Sequence, residues 1–176
     1  MTNIPEIDAL NDCNPREVPE FGFDGLKCFG RIVDVHDGDT VTVILKYVDH
    51  LFKFHIRMLG IDAFETTSKN EILHAKAYQG RDRLIEILCG LEPGAFTEGY
   101  PILAKRKDVK AFLEDRKPIV WMECVENDKY GRILCNIYTY PEKQSVAELL
   151  LAEKLAYEYN GKTRLTEQDQ LTLIQR

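Results

Sequence analysis

Residues 27–59, KCFGRIVDVHDGDTVTVILKYVDHLFKFHIRML, decide the fold. Their apolar residues recur with period two, the spacing of strands that bury one face. Ile32, Val33 and Val35 lead into Asp37-Gly38, after which Val41, Val43 and Leu45 alternate with Thr40, Thr42 and Ile44. Beyond a second break at Val48-Asp49-His50, Phe52, Phe54, Ile56 and Met58 alternate with Lys53, His55 and Arg57. The pattern predicts a three-stranded antiparallel meander with short turns. Asp37-Gly38 is the dipeptide that two-residue hairpins favour, because glycine tolerates positive φ. An EF-hand reading of the same stretch fails, since Val33 would stand where the first acidic ligand belongs.

Working outward, residues 69–89 change to helical spacing, with Leu73, Ala77, Gly80, Leu84 and Leu88 on one face. Gly80 there implies close approach to a packed surface, and Gly90 is a natural stop. PIVWMECVE (118–126) and RILCNIYTY (132–140) read as two further strands joined by NDKYG. As a hairpin they would bring Cys124 and Cys135 nearly opposite each other. Residues 144–159, QSVAELLLAEKLAYEY, read as a helix with Ser145 as N-cap and Glu148 three residues on. LTEQDQLTLIQR (165–176) reads as a last short helix. Five strands with a helix after the third predict a mostly β, α+β fold. The expected architecture is an OB-fold, a five-stranded antiparallel Greek-key barrel with three helices.

Two segments lie outside that frame. Residues 1–25, with three prolines and several acids, read as an acidic N-terminal arm, partly extended. The domain itself is expected over 26–176. Within it, 91–117 is irregular apart from a short amphipathic helix with Val109, Phe112 and Leu113 inward. Residues 105–117 carry six basic against three acidic side chains. A solvated helix face is the preferred reading over a nucleic-acid patch.

The 176-residue chain carries a formal charge of −6, which argues mildly against a nucleic-acid partner. The first 24 residues, however, hold Glu6, Asp8, Asp12, Glu17, Glu20 and Asp24 against Arg16 alone, so the acidity sits mainly in the arm. The five cysteines form no C-x-x-C pair and read as reduced thiols. No run approaches the roughly 18 apolar residues of a membrane span. The acidic N-terminus lacks the apolar core of a signal peptide, so an intracellular protein with no membrane association is expected.

The chemistry-bearing residues cluster in three places. Arg57 lies on the strand face opposite Phe54, Ile56 and Met58, pointing away from the core, and Asp62 and Glu65 follow in the exit loop. NDKYGR places Arg132 at the start of a strand. With DGDTV at 37–41, R....D..ET at 57–66 and DKYGR at 128–132, in that order, the chain resembles the staphylococcal-nuclease-like (thermonuclease) family. The resemblance covers roughly residues 27–160, with 91–117 as an insertion relative to compact members.

Position by position, the resemblance implies that Asp39 and Asp62, with the backbone carbonyl of Ala63, bind a metal, Ca²⁺ in this family. It implies Glu65 as general base and Arg57 and Arg132 as the catalytic arginines. It places Lys129, Tyr130, Tyr157 and Tyr159 around the bound nucleotide. The expected activity is Ca²⁺-dependent cleavage of DNA, and of RNA, to 3′-phosphate ends.

The residue types suit phosphodiester hydrolysis. Guanidinium forks donate paired, charge-assisted hydrogen bonds to phosphoryl oxygens, in a geometry lysine does not offer. A carboxylate can take the proton of the attacking water. Where the family reads Thr-Pro, this chain has Ala63-Phe64. The backbone carbonyl survives, but a fixed φ is lost from the loop that aims Glu65. The alternative reading is a catalytically weak OB-fold module that binds nucleic acid or protein. The acidic arm or the 91–117 insert would then offer a surface for a protein partner.

Overall fold

The computed structural model describes residues 5–98 and 105–175. Strands β1 (Lys27–Val35), β2 (Thr40–Tyr47) and β3 (His50–Met58) form the expected meander. Tyr47 pairs with His50 across Val48 (φ 43°) and Asp49 (φ 66°), a two-residue turn with both central residues in the left-handed region. The short β4 (Ile61–Ala63) follows, then helix α2 (Glu71–Leu88). Helices α3 (Ala95–Glu98) and α4 (Arg106–Arg116) occupy the insert. Strands β5 (Ile119–Asn127) and β6 (Ile133–Thr139) complete a closed barrel in the order β1-β2-β3-β6-β5. The chain ends with α5 (Val146–Ala152), β7 (Ala156–Glu158) and α6 (Glu167–Ile174), and a further helix, α1 (Pro5–Asp12), precedes the barrel.

The barrel is mixed rather than wholly antiparallel. β3 meets β6 in parallel, from Ile56↔Ile133 to Met58↔Cys135. Parallel neighbours need a long crossover, and the segment from β4 through α4 and β5 supplies one. Inside, Ile32, Val41, Val43, Ile56, Met122, Ile133 and Ile137 are buried, as the period-two pattern requires. Cys124 and Cys135 are register partners with sulfurs 3.3 Å apart, and all five cysteines are free.

Three local expectations change. First, Asp37-Gly38 is not a two-residue hairpin: the last β1–β2 pair is Val35↔Val41, and the His36 N–H donates to the Thr40 carbonyl at 2.9 Å. Gly38 does not have positive φ. A Cβ there would sit 3.0 Å from the Ala63 Cβ, so the glycine serves close packing. Second, α5 stops at Ala152, and residues 156–158 form β7 against β4, with Ala63↔Ala156 and Asp62↔Tyr157. The helix ends where Lys154 takes φ 56°, after which Ala156, Tyr157, Glu158 and Tyr159 alternate as a strand would. Third, the arm holds helix α1 rather than extended chain over 5–12, with Pro5 at its first position and Glu6 and Asp8 in its first turn. Every residue of α1 is exposed. The arm joins the barrel at Phe23, whose ring packs edge-on against Tyr47 and Phe54.

Helix α2 is capped by the Asn70 side chain, which accepts from the N–H groups of Ile72 and Leu73. It buries Leu73, Ala77, Gly80 and Leu84 as its spacing predicts. A Cβ on Gly80 would lie 2.8 Å from the Leu155 carbonyl oxygen. Gly38, Ala63 and Gly80 thus make a seam of small residues that lets the β1–β2 loop, β4 and α2 close on one another. In the insert, Val109 and Leu113 of α4 are buried against the barrel, with Phe112 half-buried beside them.

Candidate active site

The β1–β2 loop, the end of β3 and the β4–β7 pair meet at one end of the barrel. Asp37 shapes the loop: its Oδ1 accepts from the N–H groups of Asp39 (3.1 Å) and Thr40 (2.8 Å). The turn aims Asp39 inward, where its Oδ1 accepts from the Thr40 hydroxyl at 2.7 Å and its Oδ2 from the Ala63 N–H at 2.7 Å. Asp62 lies in β4 rather than in a free loop, and its Oδ2 accepts from the Tyr157 hydroxyl at 2.6 Å.

Arg57 lies between these two aspartates. Its Nη2 donates to Asp62 Oδ1 at 2.5 Å and to the Ile61 carbonyl at 3.3 Å. Its Nη1 forms an ion pair with Asp39 Oδ2 at 2.5 Å. Asp39, Asp62 and Arg57 are all nearly inaccessible. The ring of Tyr159 lies 5.5 Å from the Arg57 guanidinium carbon, in cation–π range.

Glu65 stands at the mouth, exposed, and its Oε1 is held by Nη1 of Arg164. The same arginine reaches Asp62 Oδ2 through Nε at 3.4 Å. Arg164 escaped the sequence reading because it sits in an unpatterned loop, between β7 and α6. Beside Glu65 a pocket of about 350 Å³ is lined by Thr67, Ser68, Lys69, Leu73, Glu167 and Gln170. Phe64 is buried against Tyr157 in a small apolar cluster with Leu73 and Ala77. It anchors by packing the loop that the family's proline would stiffen by its ring.

Arg132, Lys129 and Tyr130 form a separate group on the β5–β6 hairpin. Arg132 donates from Nε to Asp128 Oδ2 at 2.7 Å, and Asp128 Oδ1 accepts from the N–H groups of Tyr130 and Arg132. Lys129 and Arg132 both lie over the exposed ring of Tyr130. Among the described residues, the hydrogen bonds and ion pairs of the Asp39–Arg57–Asp62 cluster do not extend to these three. The sheet connects the two groups, since Leu134 of β6 pairs with Arg57.

Charge is unbalanced at the aspartate end. Asp37, Asp39, Asp62 and Glu65 face Arg57 and Arg164, four carboxyl groups against two guanidiniums. Burial, with the Asp39 charge beside it, pushes the Asp37 carboxyl up to about 7. Burial and Asp39 likewise hold Asp62 above the usual carboxylate range, despite the Tyr157 hydrogen bond. Burial raises the Tyr157 hydroxyl, and its bond to Asp62 raises it further. Among the described residues no three or more His, Cys, Asp or Glu side chains are grouped as a metal cage. Asp39 and Asp62 nevertheless fit a hard divalent cation. They are oxygen donors that already converge on a cation, the guanidinium of Arg57.

A family model described as staphylococcal nuclease homologue matches residues 55–176, well over half of the chain. The matched span takes in Arg57, Asp62, Glu65, Arg132, Tyr157 and Tyr159, while Asp39 lies ahead of it. No curated protein matches the chain. The closed barrel, the converging carboxylates around Arg57 and this match lead to one assignment: the chain belongs to the staphylococcal nuclease homologue family.

Proposed function

We propose that this chain hydrolyses phosphodiester bonds of DNA and RNA with Ca²⁺, leaving 3′-phosphate ends. The buried Arg57 fork, on which Asp39 and Asp62 converge, carries the reading. A guanidinium fixed in this way is set to give charge-assisted hydrogen bonds to a phosphoryl oxygen. Arg57 is pre-aimed by Asp39 and Asp62, so little reorganisation accompanies the build-up of charge on the equatorial oxygens. The family pattern assigns Arg132, held by Asp128 on its hairpin, to the same phosphoryl group.

Glu65 is exposed and accepts a proton from the attacking water. The water oxygen bonds to phosphorus, the bond to the 5′ oxygen breaks, and the leaving oxygen takes a proton from solvent. Asp39, Asp62 and the Ala63 carbonyl would hold Ca²⁺, which when bound would supply charge neutralisation and Lewis acidity. Tyr157 fixes the Asp62 carboxylate, and Lys129, Tyr130 and Tyr159 flank the nucleotide.

The test is incubation of single-stranded and duplex DNA and of RNA with the protein and Ca²⁺, with and without chelator. Arg57→Ala and Glu65→Ala are run beside the wild type. Chelator-sensitive cleavage that both substitutions abolish is expected. Cleavage that ignores the chelator or survives both changes sinks the mechanism. Retained binding with no cleavage supports the OB-fold binding module instead.

A further inference from the structure

The outer face of the β1–β2–β3 sheet carries a second polar cluster, next to the one just described. Thr40 pairs with Arg57, and one ladder step away Thr42 pairs with His55. Two residues along a strand is about 6.7 Å, and both pairs point to the same face. The Thr42 hydroxyl lies 3.2 Å from His55 Nδ1 and 2.9 Å from His36 Nε2. His36 Nε2 also lies 3.1 Å from Arg106 Nη2. Arginine only donates, so His36 Nε2 is an acceptor and the ring is neutral.

Arg106 and Lys110 come from α4, the helix of the insert. Arg106 donates from Nε to Asp34 Oδ2 at 2.7 Å, and Lys110 lies 3.5 Å from the same oxygen. Asp34 is buried, while more than half of the Arg106 and Lys110 side chains stay exposed. One cation suffices to pin α4 to the barrel through Asp34. The second, with exposed Lys105 and Lys107 beside it, turns an excess of positive charge outward. It does so on a chain whose net charge is −6, and at the edge of the proposed phosphate site.

We propose that α4 and the His55 face form a backbone-phosphate subsite, which takes the phosphate next to the scissile one on an unpaired strand. The inference rests on the phosphodiester reading above. Asp34 acts as the orienting carboxylate, fixing the Arg106 fork as buried partners fix phosphate-binding arginines. His55 and Thr42 offer hydrogen bonds at the floor, and Lys107 and Lys110 supply mobile charge at the rim. The insert thereby lengthens the track along which a polynucleotide is held, adding grip for polymers over single nucleotides.

Binding of a fluorescein-labelled oligothymidylate, followed by anisotropy in chelator across a salt series, tests this without cleavage. Lys107→Ala/Lys110→Ala leaves the Arg106–Asp34 pair intact. It is expected to bind about 10- to 30-fold more weakly at 0.1 M salt, with a log–log salt slope shallower by about 1.4. Lys107→Arg/Lys110→Arg is expected to restore both quantities. Unchanged affinity and slope in the alanine pair overturn the subsite, even where wild type binds and cleaves. A wild type that binds no oligonucleotide overturns the subsite and the phosphodiester reading together.

Discussion

Arg164, in the loop before α6, ion-pairs with Glu65, 99 residues away in the chain, and so meets the candidate base at the mouth of the site. Both side chains are about half exposed, and an exposed pair contributes little to stability. Its effect is on the site. Arg164→Ala is expected to change stability by less than about 1 kcal/mol while tightening Ca²⁺ binding several-fold, because a positive charge leaves the neighbourhood of Asp62. Isothermal titration calorimetry with Ca²⁺ checks this, and weaker binding in the variant counts against it.

Glu65→Gln keeps shape and removes the basic oxygen. Turnover is expected to fall by about 10²–10⁴, with the melting temperature unchanged, since Glu65 is exposed. A kcat within a factor of three of wild type, measured on single-stranded DNA, would remove Glu65 from the chemistry.

Arg57 is a different case, because it is buried between two carboxylates. Arg57→Ala strips Asp39 of its cation and leaves Asp62 only the more distant Arg164, and a loss of about 3–5 kcal/mol in urea unfolding is expected alongside loss of activity. Arg57→Lys restores charge but not the fork. It is expected to recover part of the stability and little of the activity.

Gly80→Ala would ordinarily stabilise a helix by about 1 kcal/mol. Here the added Cβ would meet the Leu155 carbonyl oxygen at 2.8 Å, a backbone atom that cannot swing aside. A net loss of about 1–3 kcal/mol is expected from denaturant titration, with reduced activity as β7 shifts against β4. A more stable variant would show that the seam between α2 and the β7 approach is loose.

Burial works to raise the Asp128 carboxyl, but the Arg132 N–H and side chain and the Tyr130 N–H hold it below its ordinary range. A folded-state value below the unfolded one gives stability that is present above about pH 3.9 and lost as pH falls. Asp128→Asn is therefore expected to flatten the acid limb of the stability profile between about pH 4 and 2. It also frees the Arg132 side chain. Thermal melts across that range check the sign.

The meander was legible because its evidence is local. Period-two alternation in β1, β2 and β3, with a turn at Val48-Asp49, needs only residues that are neighbours in the chain. Helix α2 was legible on the same terms. The 144–159 stretch misled because Ala156–Glu158 is too short to declare itself. It becomes a strand only by pairing with Ile61–Ala63, a non-local partner invisible in its own composition. The Asp37-Gly38 reading erred similarly: the glycine answers to Ala63 across space, not to its own φ.

For the site, the sequence by itself determined which residue types are present and in what order. The carboxylates Asp39, Asp62 and Glu65 and the arginines Arg57 and Arg132 stand at spacings that match a family pattern. Only the tertiary structure decided that Arg57 is buried between Asp39 and Asp62. It also decided that Arg132 rests on Asp128, and that an arginine no motif marks, Arg164, holds Glu65. Alternation and spacing record which face a residue takes. Ion pairing depends on where distant loops are brought together, and here the closed barrel and the β4–β7 pair do that.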